Sequence, residues 1–159
     1  MTNEKFTRLV MKYTDTVFRV ALNIVKSPSS AAEDVCQEVF LRLWKNKNDF
    51  ADDQDAKYWL IRVAINEGRR SIVSKWNKYE NLDDYAEKLS FQTTEMSDLF
   101  YSVMNLSRKY RIVIYLYYYE GYSTAEISKL LSSSEAAVRT QLHRGRELLK
   151  KDLLEAKNV

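Results

Sequence analysis

Glycine and proline are nearly missing from this chain, with three and one in 159 residues. Tight turns and strand bends draw heavily on both, so their scarcity points to an all-α protein. A single cysteine excludes an internal disulfide, and with a single histidine it leaves no cluster to bind zinc. Enzyme chemistry is equally short of material. There is no phosphate-cradling glycine loop and no carboxylate pair on an apolar wall, so no catalytic residue, metal or cofactor is expected. Charges interrupt every apolar run of "MTNEKFTRLVMKYTD", which therefore does not read as a signal peptide. No apolar run approaches the roughly 20 residues that span a bilayer. The expectation is a cytoplasmic protein of a reducing compartment, without membrane insertion of its own.

What is present is enough for packed cores, with 45% of residues hydrophobic and 13% aromatic. The length suits one ordinary domain or two small helical ones. A formal charge of +3 is modest, so its distribution matters more than its total. The most organised stretch is "YSTAEISKLLSSSEAAVRTQLHRGRELLKK", from Tyr122 to Lys151. Ser123 and Glu126 form a capping box for a helix whose apolar face is Ile127, Leu130 and Leu131. The serines that follow stop that face, and a serine is a good N-cap for the next helix. That second helix starts at Glu135 and is expected to bury Val138, Leu142, Leu148 and Leu149. Its outer face carries Arg139, Thr140, His143, Arg144, Arg146, Lys150 and Lys151. Two helices around a tight turn, the second longer and basic, form the layout that enters a major groove. The residues alone also fit a helical hairpin with a solvated basic face.

Earlier in the chain, apolar positions from Asn3 to Val25 mark one amphipathic helix, stopped by Ser27-Pro28. A second helix begins near Ser30, with Glu33 and Asp34 expected in its first turn. Ala32, Val35, Cys36, Val39, Phe40 and Leu43 face inward; Asp34, Gln37, Glu38, Leu41, Arg42 and Lys45 stay outside. Phe50 lies alone in a polar loop from Asn46 to Ala56, where it either plugs the core or waits for a ligand. From about Ala56 to Lys78 a third helix interleaves Tyr58, Trp59 and Trp76 with Arg62, Arg69, Arg70, Lys75 and Lys78. Such mixing suits single-stranded nucleic acid, but also a core helix with solvated arginines. Between Tyr79 and Asp98 six acids face one lysine, which reads as an acidic linker between two domains. Helices are then expected from Thr94 to Leu106, through Met96, Leu99, Phe100, Val103 and Leu106. Another runs from Arg108 to Glu120, through Ile112, Val113, Leu116 and Tyr117, with Gly121 at C′.

Three of these segments together resemble the extracytoplasmic-function (ECF) sigma factors of the sigma-70 family. "SAAEDVCQEVFLRLW" is similar to that family's polymerase-binding helix, and "YWLIRVAIN" to its promoter-melting helix. The stretch from Leu106 to Lys151 resembles its C-terminal DNA-binding domain throughout. The resemblance implies a sigma region-two domain at 1–78, an acidic linker at 79–97 and a region-four domain at 98–159. The implied partners are core RNA polymerase, promoter DNA and an anti-sigma factor. Asp34, Gln37, Glu38, Leu41 and Arg42 would meet the clamp helices of the largest polymerase subunit, with the flap as a further contact. Phe50, Trp59, Arg62, Asn66, Arg69 and Arg70 would serve promoter melting, Phe50 in a loop that holds a flipped base. Ser134, Glu135, Ala136, Arg139, Thr140, His143 and Arg144 would face the upstream promoter element, Arg144 as a phosphate clamp. The chain departs from the family pattern at Ser107, Ser132, Ser133, Gly68 and Val73. A free-standing helix-turn-helix regulator is the nearest rival, but the acidic linker and the basic-aromatic third helix fit it poorly. A helical adaptor leaves the basic face unexplained.

Overall fold

The computed structural model describes residues 1–26, 29–75 and 98–157. Among them the chain forms seven α-helices and no strand, so the all-α expectation holds. It separates into two compact units, Met1–Gln92 and Thr93–Val159. Ser27-Pro28, Trp76 to Lys78, the acidic linker and Met96 lie outside the described residues.

The first unit packs three helices, α1 (Asn3–Val25), α2 (Ser29–Lys45) and α3 (Asp53–Lys75), each against the other two. Thr2 caps α1 by accepting the amide of Lys5 at 3.1 Å. Leu9, Tyr13, Val17, Val20, Ala21 and Ile24 from α1 meet Val35, Val39 and Leu43 of α2 and Leu60, Ile61 and Ile65 of α3 in the core. Two expectations need correction. Because α2 begins at Ser29, its first turn holds no acid, and Glu33 and Asp34 lie beyond the reach of the terminal dipole. The third helix starts at Asp53 rather than Ala56, since the Asp52 carboxylate accepts the amide of Asp55 at 2.9 Å. Gly68 lies where α3 crosses α1. A Cβ there would meet Ile24 Cγ2 at 2.7 Å, so glycine is what permits the close approach.

The second unit has α4 (Asp98–Asn105), α5 (Arg108–Ile114), α6 (Thr124–Leu131) and α7 (Glu135–Lys157). A π-helical turn, Tyr115–Tyr119, continues α5. Phe100, Val103, Ile112, Val113, Ile114, Leu116, Ile127, Leu130, Val138 and Leu142 build the core. The wide turn places Tyr115 in that core, where its hydroxyl donates to Glu120 at 2.7 Å. It also swings Tyr117 out, against the expectation that Tyr117 is core. Gly121 takes φ +75 at the helix end, as its C′ position requires. Leu99 and Leu148 are exposed as well, the latter at 43%. The buried stripe of α7 runs instead through Val138, Leu142, Gly145 and Leu149. Gly145 rests against Ile114, where a Cβ would come within 2.9 Å of Cγ1. Arg111 is a buried arginine that sequence periodicity did not flag. Its guanidinium donates to the carbonyls of Leu106 at 3.1 Å and Met104 at 3.4 Å, closing the end of α4.

Candidate nucleic-acid and partner interfaces

On α2, residues 34, 37, 38, 41 and 42 fall at three- and four-residue steps and share one helix face. Asp34, Gln37 and Leu41 are exposed there, Leu41 at 51%, while Glu38 and Arg42 are half-buried. Arg42 Nε lies 3.3 Å from the Glu38 carboxylate, and its Nη2 reaches Glu67 of α3 at 2.8 Å. Arg70 Nη1 approaches the same Glu67 oxygen at 3.4 Å. Two further residues of this region were not singled out by the sequence. Glu67 is buried between helices, and Trp44 stands exposed with its ring edge-on to Phe6, 4.9 Å between centroids. Cys36 is half-buried, and burial, then Glu33, pushes its thiol up to about 12, so it stays protonated and inert at neutral pH.

Phe50 neither plugs the core nor stands free. It is half-buried against Trp59 of α3, with ring centroids 5.7 Å apart and planes inclined by 58°. Both flanks of its loop are pinned to α1. Lys5 pairs with Asp49, whose carboxylate also accepts the Phe50 amide at 2.9 Å. Arg8 donates twice to the Asp53 carboxylate, at 2.7 and 3.0 Å, and Lys12 donates to it at 2.8 Å. The Tyr13 hydroxyl adds a bond to the Asp53 carbonyl at 3.2 Å. Bonding to Arg8, then Lys12, holds the Asp53 carboxyl well below the usual carboxylate range, and Lys5 lowers Asp49. Sequence reasoning missed this ladder, although Lys5, Arg8 and Lys12 recur at helical spacing and an acid-rich loop follows. From Trp59 the stripe continues along α3 through Arg62, Asn66, Arg69 and Arg70, all exposed. Val73 extends it, 79% exposed.

In the second unit, α6 and α7 flank a three-residue turn. The capping box of Ser123 and Glu126 is present in full. Ser132 adopts the left-handed conformation, φ 54, that closes α6, and Ser134 accepts the amide of Ala137 at 3.1 Å to open α7. Ser134, Glu135, Ala136, Arg139, Thr140, His143 and Arg144 are all exposed, and those on α7 lie along one side of it. Glu135 accepts from Thr124 at 2.9 Å and pairs with Arg139 at 3.0 Å, which sets the relation of α7 to α6. Thr140 donates back to the Ala136 carbonyl at 3.0 Å. Arg144, beside Tyr110 of α5, is the main cause that lowers the Tyr110 hydroxyl pKa.

Two family models match the chain, "Sigma-70 region 2" over residues 9–78 and "Sigma-70, region 4" over residues 102–149. The chain belongs to the sigma-70 family. Among curated relatives it is 29% identical to ECF RNA polymerase sigma factor SigW of Bacillus subtilis, across 94% of this chain and 89% of that protein. It is 25% identical to the ECF RNA polymerase sigma-E factor of Escherichia coli K12, across 91% and 84%. These relatives place it with the ECF sigma factors, and sigma factors are not enzymes. Its fold matches CnrH, solved with the cytosolic domain of CnrY, at TM-score 0.66, 24% identity, and 98% and 90% coverage of the two chains. It also matches the sigma factor RpoE of Bartonella quintana, solved with the anti-sigma factor NepR, at TM-score 0.67, 17% identity, and 94% and 97% coverage.

Within this sigma factor, the α2 face and the Phe50–α3 stripe both fall inside the region-two match. The exposed α7 face falls inside the region-four match. Among the described residues no helix is long and apolar enough to cross a membrane. None of the described His, Cys, Asp and Glu residues cluster in a way that could hold a metal ion.

Proposed function

We propose that this ECF sigma factor acts in the cytoplasm, without catalysis of its own, by docking on core RNA polymerase and carrying it to promoters that it helps to open. The α2 face of Asp34, Gln37, Glu38, Leu41 and Arg42 binds the clamp helices. Leu41 buries apolar area there while the polar residues around it set the register. Phe50, Trp59, Arg62, Asn66, Arg69 and Arg70 receive the melted strand. Extruding a base costs a few kcal/mol, which stacking and phosphate contacts must offset. In region four, Glu135, Ala136, Arg139, Thr140 and His143 read the upstream element, while Ser134 and Arg144 fix the helix on the backbone. Domains at 1–78 and 98–159, with the acidic segment 79–97 between them, divide these tasks. An anti-sigma factor is the natural regulator, since the structural neighbour RpoE was solved with the anti-sigma factor NepR.

The observation that carries this reading is the exposed leucine, Leu41, in an otherwise polar stripe within the region-two match. The test is binding and opening of a labelled promoter library by the protein alone and with core polymerase, across a salt series. Selective opening only with polymerase is expected. Tight, selective binding by the protein alone, indifferent to polymerase, would make it a free-standing helix-turn-helix regulator instead.

A further inference from the structure

The α2 face and the α3 stripe are separate surfaces, yet one buried side chain touches both. Glu67 is 7% exposed, and its Oε1 lies 2.8 Å from Arg42 Nη2 and 3.4 Å from Arg70 Nη1. Both approaches are ion pairs by distance, but neither donor has hydrogen-bond geometry, so Oε1 is buried without a hydrogen bond among the described residues. A buried carboxylate in that state depends heavily on neighbouring positive charge. The two guanidiniums are freer than the acid, with side chains 41% and 66% exposed, so each is able to turn outward to a second partner.

We propose that Glu67 is a positioning residue shared by the two faces, through which the hold on Arg42 and the hold on Arg70 oppose each other. When a strand phosphate draws Arg70 outward, Glu67 keeps only Arg42 and pulls it in from the polymerase face. When an acidic group of polymerase draws Arg42 outward, Arg70 is held back from the strand. Thermodynamic linkage makes the effect equal in both directions. The inference rests on the assignment of the α2 face to polymerase, and its test separates the two.

The experiment titrates the full-length protein, fluorescently labelled, with core RNA polymerase in the absence of DNA. The variants are Arg42→Ala, Arg70→Ala, Glu67→Gln and Glu67→Gln with Arg70→Ala. Arg42→Ala is expected to weaken binding. Arg70→Ala, which lies outside the α2 face, is expected to weaken it about five-fold. In the Glu67→Gln background, Arg70→Ala should have no further effect, because the acid that pulled on Arg42 is gone. If Arg42→Ala leaves affinity unchanged, Arg42 has no part in the polymerase contact and the inference falls, while the α2 face itself is judged by Glu38→Ala with Leu41→Ala. If Arg42→Ala matters but Arg70→Ala changes affinity equally in both backgrounds, or in neither, the face stands and the shared acid is refuted. Should Glu67→Gln fail to fold by circular dichroism, a cycle of Arg42→Ala and Arg70→Ala decides. A double variant no weaker than Arg42→Ala alone supports the coupling, and losses that multiply refute it.

Discussion

At the scale of single residues, two glycines and a serine set close tolerances. A helical Gly→Ala change gains up to about 1 kcal/mol in propensity, whereas overfilling a packed contact costs about 1–3 kcal/mol. At Gly68 a new methyl would sit 2.7 Å from Cγ2 and 2.9 Å from Cβ of Ile24, atoms fixed close to the α1 backbone and fully buried. Overpacking wins, and Gly68→Ala should lower stability by about 1–2 kcal/mol in urea unfolding. At Gly145 the approach is less close, with Ile114 Cγ1 at 2.9 Å and Cδ1, the far end of that side chain, at 3.2 Å. Gly145→Ala should fall closer to neutral, and a loss there as large as at Gly68 would contradict this ranking. Ser132 tests the opposite change. It holds φ 54, a conformation that costs a non-glycine residue about 1–2 kcal/mol. Glycine removes that cost but loses about 0.4–1 kcal/mol to the freedom of the unfolded chain. Ser132→Gly should therefore stabilise the second unit by roughly 0.5–1 kcal/mol, read as a rise in its thermal midpoint. In the sequence Gly68 was visible only as a departure from a family pattern, and Ser132 as such a departure and as one of the serines that stop a helix face. The reason for each lies in a neighbour or a backbone angle that spacing does not encode.

At the scale of elements, the α1 ladder governs the loop that carries Phe50. Exposed ion pairs contribute little to global stability, typically under about 1 kcal/mol. Their effect should therefore appear in the loop's order rather than in unfolding. Replacing Arg8 and Lys12 together by alanine should raise amide exchange across residues 46–52 and reduce open-complex formation on duplex promoters. Phe50→Ala should reduce it in the same assay while leaving closed-complex binding intact. Equal effects of Phe50→Ala on duplex and pre-melted promoters would argue against a base-holding role. The ladder also has a pH signature. The Asp53 carboxyl is depressed below its unfolded value near 3.9, so its contribution is fully present above that value. It is lost as pH falls below about 4 toward the folded pKa, and exchange at 46–52 should rise in that window, less so in Arg8→Ala. Element type was legible because the helices carry clear 3.6-residue periodicity and almost no glycine or proline interrupts them. Their fine structure was less so. In "YLYYY" every position is able to face inward or outward, so no phase reveals the wide turn at Tyr115–Tyr119. In "ADDQD" several acids compete as helix cap, and the sequence alone does not single out Asp52.

At the scale of the whole molecule, each unit has its own core, so a surface substitution in one leaves the other folded. That separation makes the division of labour testable. Core polymerase binding is assigned to α2, and promoter selection to α7. Arg139 is exposed, and its ion-pair partner Glu135 lies on the same face, so trading that pair for a base edge leaves the core untouched. Arg139→Ala should weaken initiation at the cognate promoter by roughly five- to 150-fold, since losing one good bidentate base contact costs about 1–3 kcal/mol of discrimination. Affinity for core polymerase should stay at the wild-type value. Glu38→Ala combined with Leu41→Ala should give the reverse pattern. Removing the exposed leucine and a half-buried acid weakens polymerase binding, and promoter choice by the complexes that still form is unchanged. The two patterns must be measured in the same preparations, with polymerase affinity by titration and promoter choice by competition between cognate and mutated sites. Loss of both properties in Arg139→Ala would mean that α7 also contributes to polymerase docking. Unchanged affinity in the α2 double variant would remove the clamp assignment, and with it the reason for an exposed Leu41.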